Sequence, residues 1–400
     1  MKKSMKVIIM TVLAVAMVLS CAACDQDKKT ENTMLKEVCY HVLDAGIYTT
    51  LDYDYASQEF ANGHDLSSGM CTAVAKVTED GTMLMGRNMD LTISNKAAYV
   101  VRTAVEGCYE TVGLTYTPGS QAPDYEEARD KGITEEFRKQ IPFLSCDVLN
   151  SEGLYIETNM REGECWPSGE DKFTCSGTNP DSDTRVYMVL LPRYIGEHCA
   201  TVDEALEYVK TLNIFTMEGG IDAWNFCFML ADATGHYGLM EFAQNKIIWH
   251  EGQQAQTNFY IDKDMAAIEE YKCGIGRYET VIKGIDSVQS KEDMLALMNK
   301  VTYHQMYSPE TCQYDPRSEF IATYPHWTYD YVMAKENQEE VMSVMKSISE
   351  CVSAMTRQEK QDKNSMWESI FTEIADCNEK TLFVRFFEDD TRTITLTFEN

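Results

Sequence analysis

The sequence is poor in basic residues and lacks the short motifs that hold metals or phosphates. Against 64 Asp and Glu there are 35 Lys and Arg, a formal net charge of −29. Nucleic acid requires basic patches, so an anionic surface of this size argues against that partner. It says little else, because acidity usually serves to solvate a surface. There is no HExxH and, outside the extreme N-terminus, no CxxC, so a zinc site is not suggested. The seven histidines are scattered, and neither a glycine-rich phosphate loop nor an internal repeat is present. The apolar run Val7–Leu19 is too short to span a bilayer comfortably.

That run is instead the core of a targeting segment. Lys2, Lys3 and Lys6 precede it, and small residues follow. Val18-Leu19-Ser20-Cys21 resembles a bacterial lipoprotein processing site, with residues 1–20 removed and Cys21 lipidated. Cys24 is the alternative lipid acceptor, and an ordinary secretory signal cut nearby is the simpler reading. Each predicts an exported protein, and the first a lipoprotein held at the membrane or cell surface. Residues 21–70 then read as a tether and candidate propeptide. Asp25–Asn32 is polar, Leu35–Tyr55 has apolar residues at helical spacing, and Gly63, Ser67, Ser68 and Gly69 loosen the chain. A helix that is never removed is the competing reading. The remaining residues, 71–400, with 44% hydrophobic content over the whole chain, are ample for a large core.

The most informative stretch is Cys71 to Asp90. Two short apolar-rich runs, Thr72–Thr78 and Thr82–Met85, flank Asp80-Gly81, a pairing that signals a hairpin with a two-residue turn. That register puts Cys71 directly opposite Asp90 on one face. Arg87 then pairs with Val74 and faces away, unless Gly86 forms a bulge that re-aims it. Cys71 is therefore a buried small hydrophobe, a disulfide partner, or a thiol activated by a nearby cation and carboxylate. Of the 14 cysteines, setting aside Cys21, Cys24 and Cys71 leaves an odd number, so at least one is free unless chains pair. Cys165 and Cys175, flanking a polar loop, are the best-placed disulfide candidates, whereas Cys227 and others in apolar runs read as buried thiols.

Further along, Gly119–Gly132 reads as a polar loop and Ile133–Gln140 as a short helix. Asn150–Gly153 is a turn before a strand, Leu154–Thr158, that ends on Asn159. Thr201-Val202-Asp203-Glu204 is a capping box opening a helix. Asn225–Ala231, Tyr237–Phe242 and Lys246–His250 read as strands, Cys273–Glu279 as the start of a helix, and Thr381–Phe387 with Thr393–Phe398 as a terminal hairpin. Val341, Met345, Ile348, Val352 and Met355 form an apolar helical stripe, and Thr302–Tyr331 is dense in Tyr, Pro, His and Trp. Pattern alone gives an α+β fold.

The string Met70-Cys71-Thr72, then Asp80-Gly81, then Gly86-Arg87-Asn88-Met89-Asp90, resembles the start of the choloylglycine hydrolase family. That family comprises bile salt hydrolases, penicillin V acylases and wider linear-amide hydrolases on the N-terminal-nucleophile fold. The resemblance implies four αββα layers, with two stacked antiparallel sheets between helices. It implies a catalytic domain over 71–400, activated by cleavage before Cys71 and needing no metal or organic cofactor. Cys71 would be the nucleophile, Arg87 the cation that stabilises its thiolate, and Asp90 the anchor of the freed α-ammonium. Asn159 and Asn258 match family asparagines that serve the oxyanion, and Arg277 an active-site arginine. Before that arginine, family members often carry serine where this chain has Gly276.

The activity so implied is hydrolysis of a linear amide C–N bond in a small molecule: a conjugated bile salt, penicillin V or another N-acyl amine. Two alternatives stay open. An acyltransferase would use the same nucleophile with an amine in place of water. A non-catalytic lipid-anchored binding protein would keep Met70–Cys71 uncut. Whether copies of the chain assemble is left open.

Overall fold

The computed structural model describes residues 42–56, 70–92, 97–116, 122–144, 147–160, 177–215, 226–243, 245–267, 272, 274–302, 367–386 and 390–398. Cys21, the Cys165 and Cys175 pair, the helical stripe from Val341 to Met355 and nearly all of Thr302–Tyr331 lie outside them. Among the described residues no helix is long and apolar enough to cross a membrane.

The two runs around Asp80-Gly81 form strands β2 (Met70–Val77) and β3 (Met83–Thr92). Their turn is one residue longer than expected. Thr78 N donates to Thr82 O at 2.9 Å and Gly81 N to Thr78 O at 3.0 Å, leaving Glu79, Asp80 and Gly81 as the loop. The Asp80 carboxylate accepts from Thr78 Oγ1 at 2.5 Å and Thr82 N at 3.1 Å, clasping both ends. Gly81 takes φ +92°, the left-handed residue on which a three-residue hairpin loop closes. The extra loop residue moves the register by one. Cys71 pairs with Met89, Met70 with Asp90, and Ala73 with Arg87. Because side chains alternate with a period of two, this slip exchanges faces. Arg87 comes onto the face of Cys71, and Asp90 goes to the other.

The expected bulge at Gly86 is absent, and the β2–β3 ladder runs through it unbroken. Gly86 serves packing instead. A Cβ there would stand 2.8 Å from Met294 Sδ and 3.0 Å from Met298 Cγ, on a helix that crosses the strand. Gly86→Val should cost about 1–3 kcal/mol through overpacking, read as a lower denaturant midpoint. An unchanged midpoint would mean the two methionines yield freely.

Two sheets contain most strands. The six-stranded sheet runs β13 (Ala255–Gln256), β2, β3, β14 (Trp367–Asp376), β15 (Thr381–Phe386), β16 (Thr393–Leu396). The eight-stranded sheet runs β1 (Val42–Tyr48), β4 (Ala98–Thr103), β5 (Thr111–Tyr116), β6 (Asp147–Asn150), β7 (Tyr155–Met160), β10 (Phe226–Ala231), β11 (Tyr237–Ala243), β12 (Lys246–Glu251). β8 (Arg185–Tyr187) and β9 (Asn213–Phe215) form a separate parallel pair.

One apolar cluster lies between the sheets, joining Cys71, Ala73, Met85 and Met89 to Leu149, Tyr155, Cys227 and Met229. A second covers the outer face of the eight-stranded sheet. There Val148, Ile156 and Phe228 meet helices α1 (Tyr125–Lys131), α2 (Glu135–Gln140), α3 (Leu191–His198) and α4 (Val202–Val209). A third places Val74, Leu84 and Ile374 under α5 (Ile275–Gly284) and α6 (Lys291–Met298). Helix, sheet, sheet, helix is the four-layer α+β arrangement implied by the resemblance.

Helix α1 falls where a loop is expected, its first turn carrying Glu126 and Glu127 and its last Arg129 and Lys131, as the helix dipole favours. The larger departure is upstream. Val42–Tyr48 is no helix but an edge strand, paired in parallel with β4, so the eight-stranded sheet is not wholly antiparallel. Gly46 sits in that segment at φ +82°, which helical periodicity among its neighbours does not reveal. Tyr48 O accepts from Ala104 N at 2.8 Å, and Arg102 Nη1 reaches Asp44 at 3.0 Å. Tyr53 OH donates to Glu197 Oε2 at 2.6 Å.

Candidate active site

Cys71 lies near the start of β2 with its side chain between the sheets, 3% exposed. Arg87, brought onto the same face by the register, donates from Nη2 to Cys71 Sγ at 3.4 Å and to Thr158 O at 2.9 Å. Its remaining edge crosses to the eight-stranded sheet, where Nη1 meets Asp147 Oδ2 at 2.5 Å and Nε meets Glu157 Oε2 at 3.2 Å. The guanidinium is thus fixed by acceptors on three sides, with one edge turned to sulfur. Burial pushes the Cys71 thiol up to about 11, against the downward pull of Arg87. A thiol in this state needs a base before it can attack.

The opposite face of β2 and β3 carries a second arginine. Arg277 stands in the first turn of α5, yet it is fully buried rather than a helix-surface residue. Its Nη1 donates to Cys71 O at 2.7 Å, Thr72 Oγ1 at 3.0 Å and Asp90 Oδ2 at 3.2 Å. Its Nη2 donates to Asn258 Oδ1 at 2.7 Å. Asp90 also accepts from Ser369 Oγ, delivered by a register shift where β14 meets β3. Asp90 is therefore not across the ladder from Cys71, as the two-residue turn required. It sits one position along and on the other face, because the three-residue loop moved it there.

Asn258 follows β13, whose Gln256 pairs with Ala73, so two further residues bring it alongside Cys71. Its Oδ1 accepts from Cys71 N at 3.3 Å, and its Nδ2 donates to Met160 O. It holds the backbone nitrogen of Cys71 and ties it to β7. Asn159, on the inter-sheet face of β7 with Tyr155 and Glu157, is fully buried. Among the described residues neither its Oδ1 nor its Nδ2 has a hydrogen-bond partner. Buried amides are seldom left so. All six residues singled out by sequence, Cys71, Arg87, Asp90, Asn159, Asn258 and Arg277, thus converge on the N-terminal end of β2.

Residues 145–324 match the family model described as acyl-coenzyme A:6-aminopenicillanic acid acyl-transferase. That span holds Asn159, Asn258 and Arg277 and excludes the Cys71–Asp90 motif, so two separate stretches point one way. Over those residues the chain is similar to that acyl-transferase family. A comparison with curated protein sequences gives no match. Among solved structures, a variant of the conjugated bile acid hydrolase from Clostridium perfringens aligns at TM-score 0.44 and 12% identity, covering 82% of this chain and 93% of that one. Penicillin V acylase from Agrobacterium tumefaciens aligns at TM-score 0.43 and 14% identity, covering 82% and 87%.

Beside the family motif the structure adds residues that sequence reasoning passed over. Asp147 and Glu157 pair across β6 and β7, and Glu373 pairs with Arg87 across β14 and β3. Tyr155 OH donates to Glu373 Oε2 at 2.9 Å. Period-two alternation back from Asn159 would have found Glu157 and Tyr155. Glu373 stands in the run Ile370-Phe371-Thr372-Glu373-Ile374-Ala375, where a lone acid in an otherwise buried strand was the available signal. Among the described residues no group of three or more His, Cys, Asp or Glu is arranged to hold a metal ion.

Proposed function

We propose that this protein is a cysteine N-terminal-nucleophile amidase that hydrolyses a linear amide C–N bond in a small-molecule N-acyl amine, after cleavage before Cys71. The observation that carries this reading is the pairing of Arg87 Nη2 with Cys71 Sγ at 3.4 Å while Asn258 holds Cys71 N at 3.3 Å. Cation, thiol and the atom that would become the α-amine are set together. Conjugated bile salts and penicillin V, the substrates named for the aligned structures' enzymes, are the first compounds to try.

Cleavage would convert Cys71 N from an amide to an amine, whose ordinary pKa of about 7.7–8.0 suits a base at neutral pH. The amine takes the thiol proton and the thiolate attacks the amide carbonyl. Asn159 Nδ2, buried without a partner among the described residues, donates to the tetrahedral oxyanion, a role worth about 3–4 kcal/mol. Asn258 and Arg277 hold the Cys71 backbone in place, Asp90 orients Arg277, and water releases the acyl group. Asp90 can still serve the α-ammonium, but through this network rather than from across the ladder. Acyl transfer to an amine is the second reading, favoured by the description of the matched family model.

The same reading accounts for the residues before Cys71. With β1 laddered to β4 and Tyr53 OH on Glu197, a cleaved upstream fragment would stay bound. A lipid on Cys21 of that fragment would then keep the exported catalytic part at the membrane. Intact mass and N-terminal sequencing of purified protein test both points. The expected result is two co-purifying chains, one starting at Cys71 and the other carrying the lipid mass. A single chain continuous through Met70 would remove the base and favour a binding protein. Adding an acceptor amine to the active enzyme and weighing the products separates hydrolysis from transfer.

A further inference from the structure

Behind Cys71, one cation faces three carboxyls. Arg87 and Glu373 sit opposite each other on the inner face of the six-stranded sheet, and Asp147 and Glu157 opposite each other on the inner face of the other. Asp147, Glu157 and Glu373 are all fully buried. With every acid ionised, the group would hold two uncompensated negative charges out of water, which a protein interior resists by keeping protons on. The oxygens show where those protons belong. Asp147 and Glu373 are in hydrogen-bonding contact with each other, with the Thr158 backbone also reaching Asp147, while Asp147 Oδ1 and Glu373 Oε1 have no partner at full hydrogen-bond geometry among the described residues. Two carboxyl oxygens facing each other are satisfied only by a proton between them. Glu157 has one oxygen on Arg87 and a weaker approach from the Met229 backbone, and its Oε1 has no partner at full hydrogen-bond geometry among the described residues.

We propose that Asp147, Glu157 and Glu373 are positioning residues that act on Cys71 through Arg87. Glu373 is a neutral acid sharing its proton with the Asp147 carboxylate, and Glu157 takes up or releases a proton in competition with the thiol for the same guanidinium. The inference rests on the reading of Cys71 as nucleophile. In the neutral arrangement Arg87 balances Asp147, while Glu157 and Glu373 stay protonated. When Glu157 ionises, the cluster becomes net negative and formation of the adjacent thiolate is opposed. The order of the two ionisations agrees, with Glu157 raised by burial to about 8 and the Cys71 thiol to about 11. The other ionisable groups facing the pair are Tyr155, on Glu373, and Asp90, which opposes the thiolate from the far face and is paired there with Arg277. The device makes the thiol harder to ionise once Glu157 has ionised, so its midpoint lies higher than it would beside an uncharged residue 157.

The test is the rate of Cys71 alkylation by iodoacetamide against pH, followed on the Cys71 peptide by mass spectrometry in the full chain. It needs no substrate, so amide turnover stays a separate readout. If alkylation behaves as proposed and no amide is hydrolysed, the amidase reading fails and this one stands. Glu157→Gln keeps shape and removes the competing charge. Its alkylation midpoint should fall by about one pH unit, with roughly tenfold faster reaction below the midpoint. Glu373→Gln replaces a neutral donor by a neutral donor and should leave the midpoint where it was. An unchanged or raised midpoint in Glu157→Gln would overturn the proposal, as would a fall in Glu373→Gln equal to that in Glu157→Gln. Infrared spectra of the unmodified protein keep the question answerable if either variant fails to fold. A protonated carboxylic C=O band should persist at pH 7, and its absence would overturn the assignment of the shared proton.

Discussion

Cys71→Ala should abolish amide turnover, with a loss on the order of 10⁶-fold, the scale at which removing a covalent nucleophile collapses the whole mechanism. The chain should still fold. Cys71 is nearly buried among Ala73, Met85 and Met89, so a methyl in place of the thiol leaves only a small void. Turnover of an N-acyl amide and circular dichroism on the same sample separate the two effects. Activity within tenfold of the parent protein would discard Cys71 as nucleophile. A lost fold would instead assign the residue to packing, the commoner use of a buried thiol.

Arg87→Met should be the most destabilising single change at the site, by about 3–5 kcal/mol near pH 8, because it strips the cation from fully buried carboxyls. The effect should depend on pH with a definite sign. Burial raises Asp147 to about 6 and Glu157 to about 8, against the partial pull of Arg87. Acids whose folded pKa lies above its ordinary value bind more protons in the folded chain. Their stabilising effect is complete below the ordinary carboxylate range and is lost as pH rises through 6 and then 8. The unmodified protein should therefore lose stability between pH 5 and pH 8, on the order of 5 kcal/mol from these groups. Without Arg87 both acids shift further up, so the variant suffers little at pH 5 and most at pH 8. Denaturant midpoints at the two pH values check this, and an equal loss at both would show that the carboxyls do not titrate against Arg87.

Local chemistry made a large part of this protein legible in the sequence. The strand pairs at Asn225–Phe242, the turn before Asn159, the Thr201 cap and the terminal hairpin each depend on neighbours within a few residues, and each is found where its sequence places it. Thr201 Oγ1 accepts from Glu204 N at 3.2 Å. The six site residues were likewise reachable, because motif and family resemblance identify residue types without needing their geometry. What pattern could not supply was register. One residue more in the Asp80-Gly81 turn, chosen by the clasp of the Asp80 side chain, exchanged the faces of Arg87 and Asp90 and removed any need for a bulge.

Long-range placement was the rest. The helical spacing of Leu35–Tyr55 gave no sign that Val42–Tyr48 finds a sheet edge, since an edge strand is defined by the partner it meets, here β4. The carboxyl cluster behind Arg87 draws on β3, β6, β7 and β14, four strands that lie far apart in the chain, and no local window contains it. By itself the sequence determined which residue types were available to the candidate site, because a thiol, a guanidinium or an amide is fixed by residue identity. Only the tertiary structure decided which face each occupies and which charges are buried together, because those depend on register and on the meeting of two sheets.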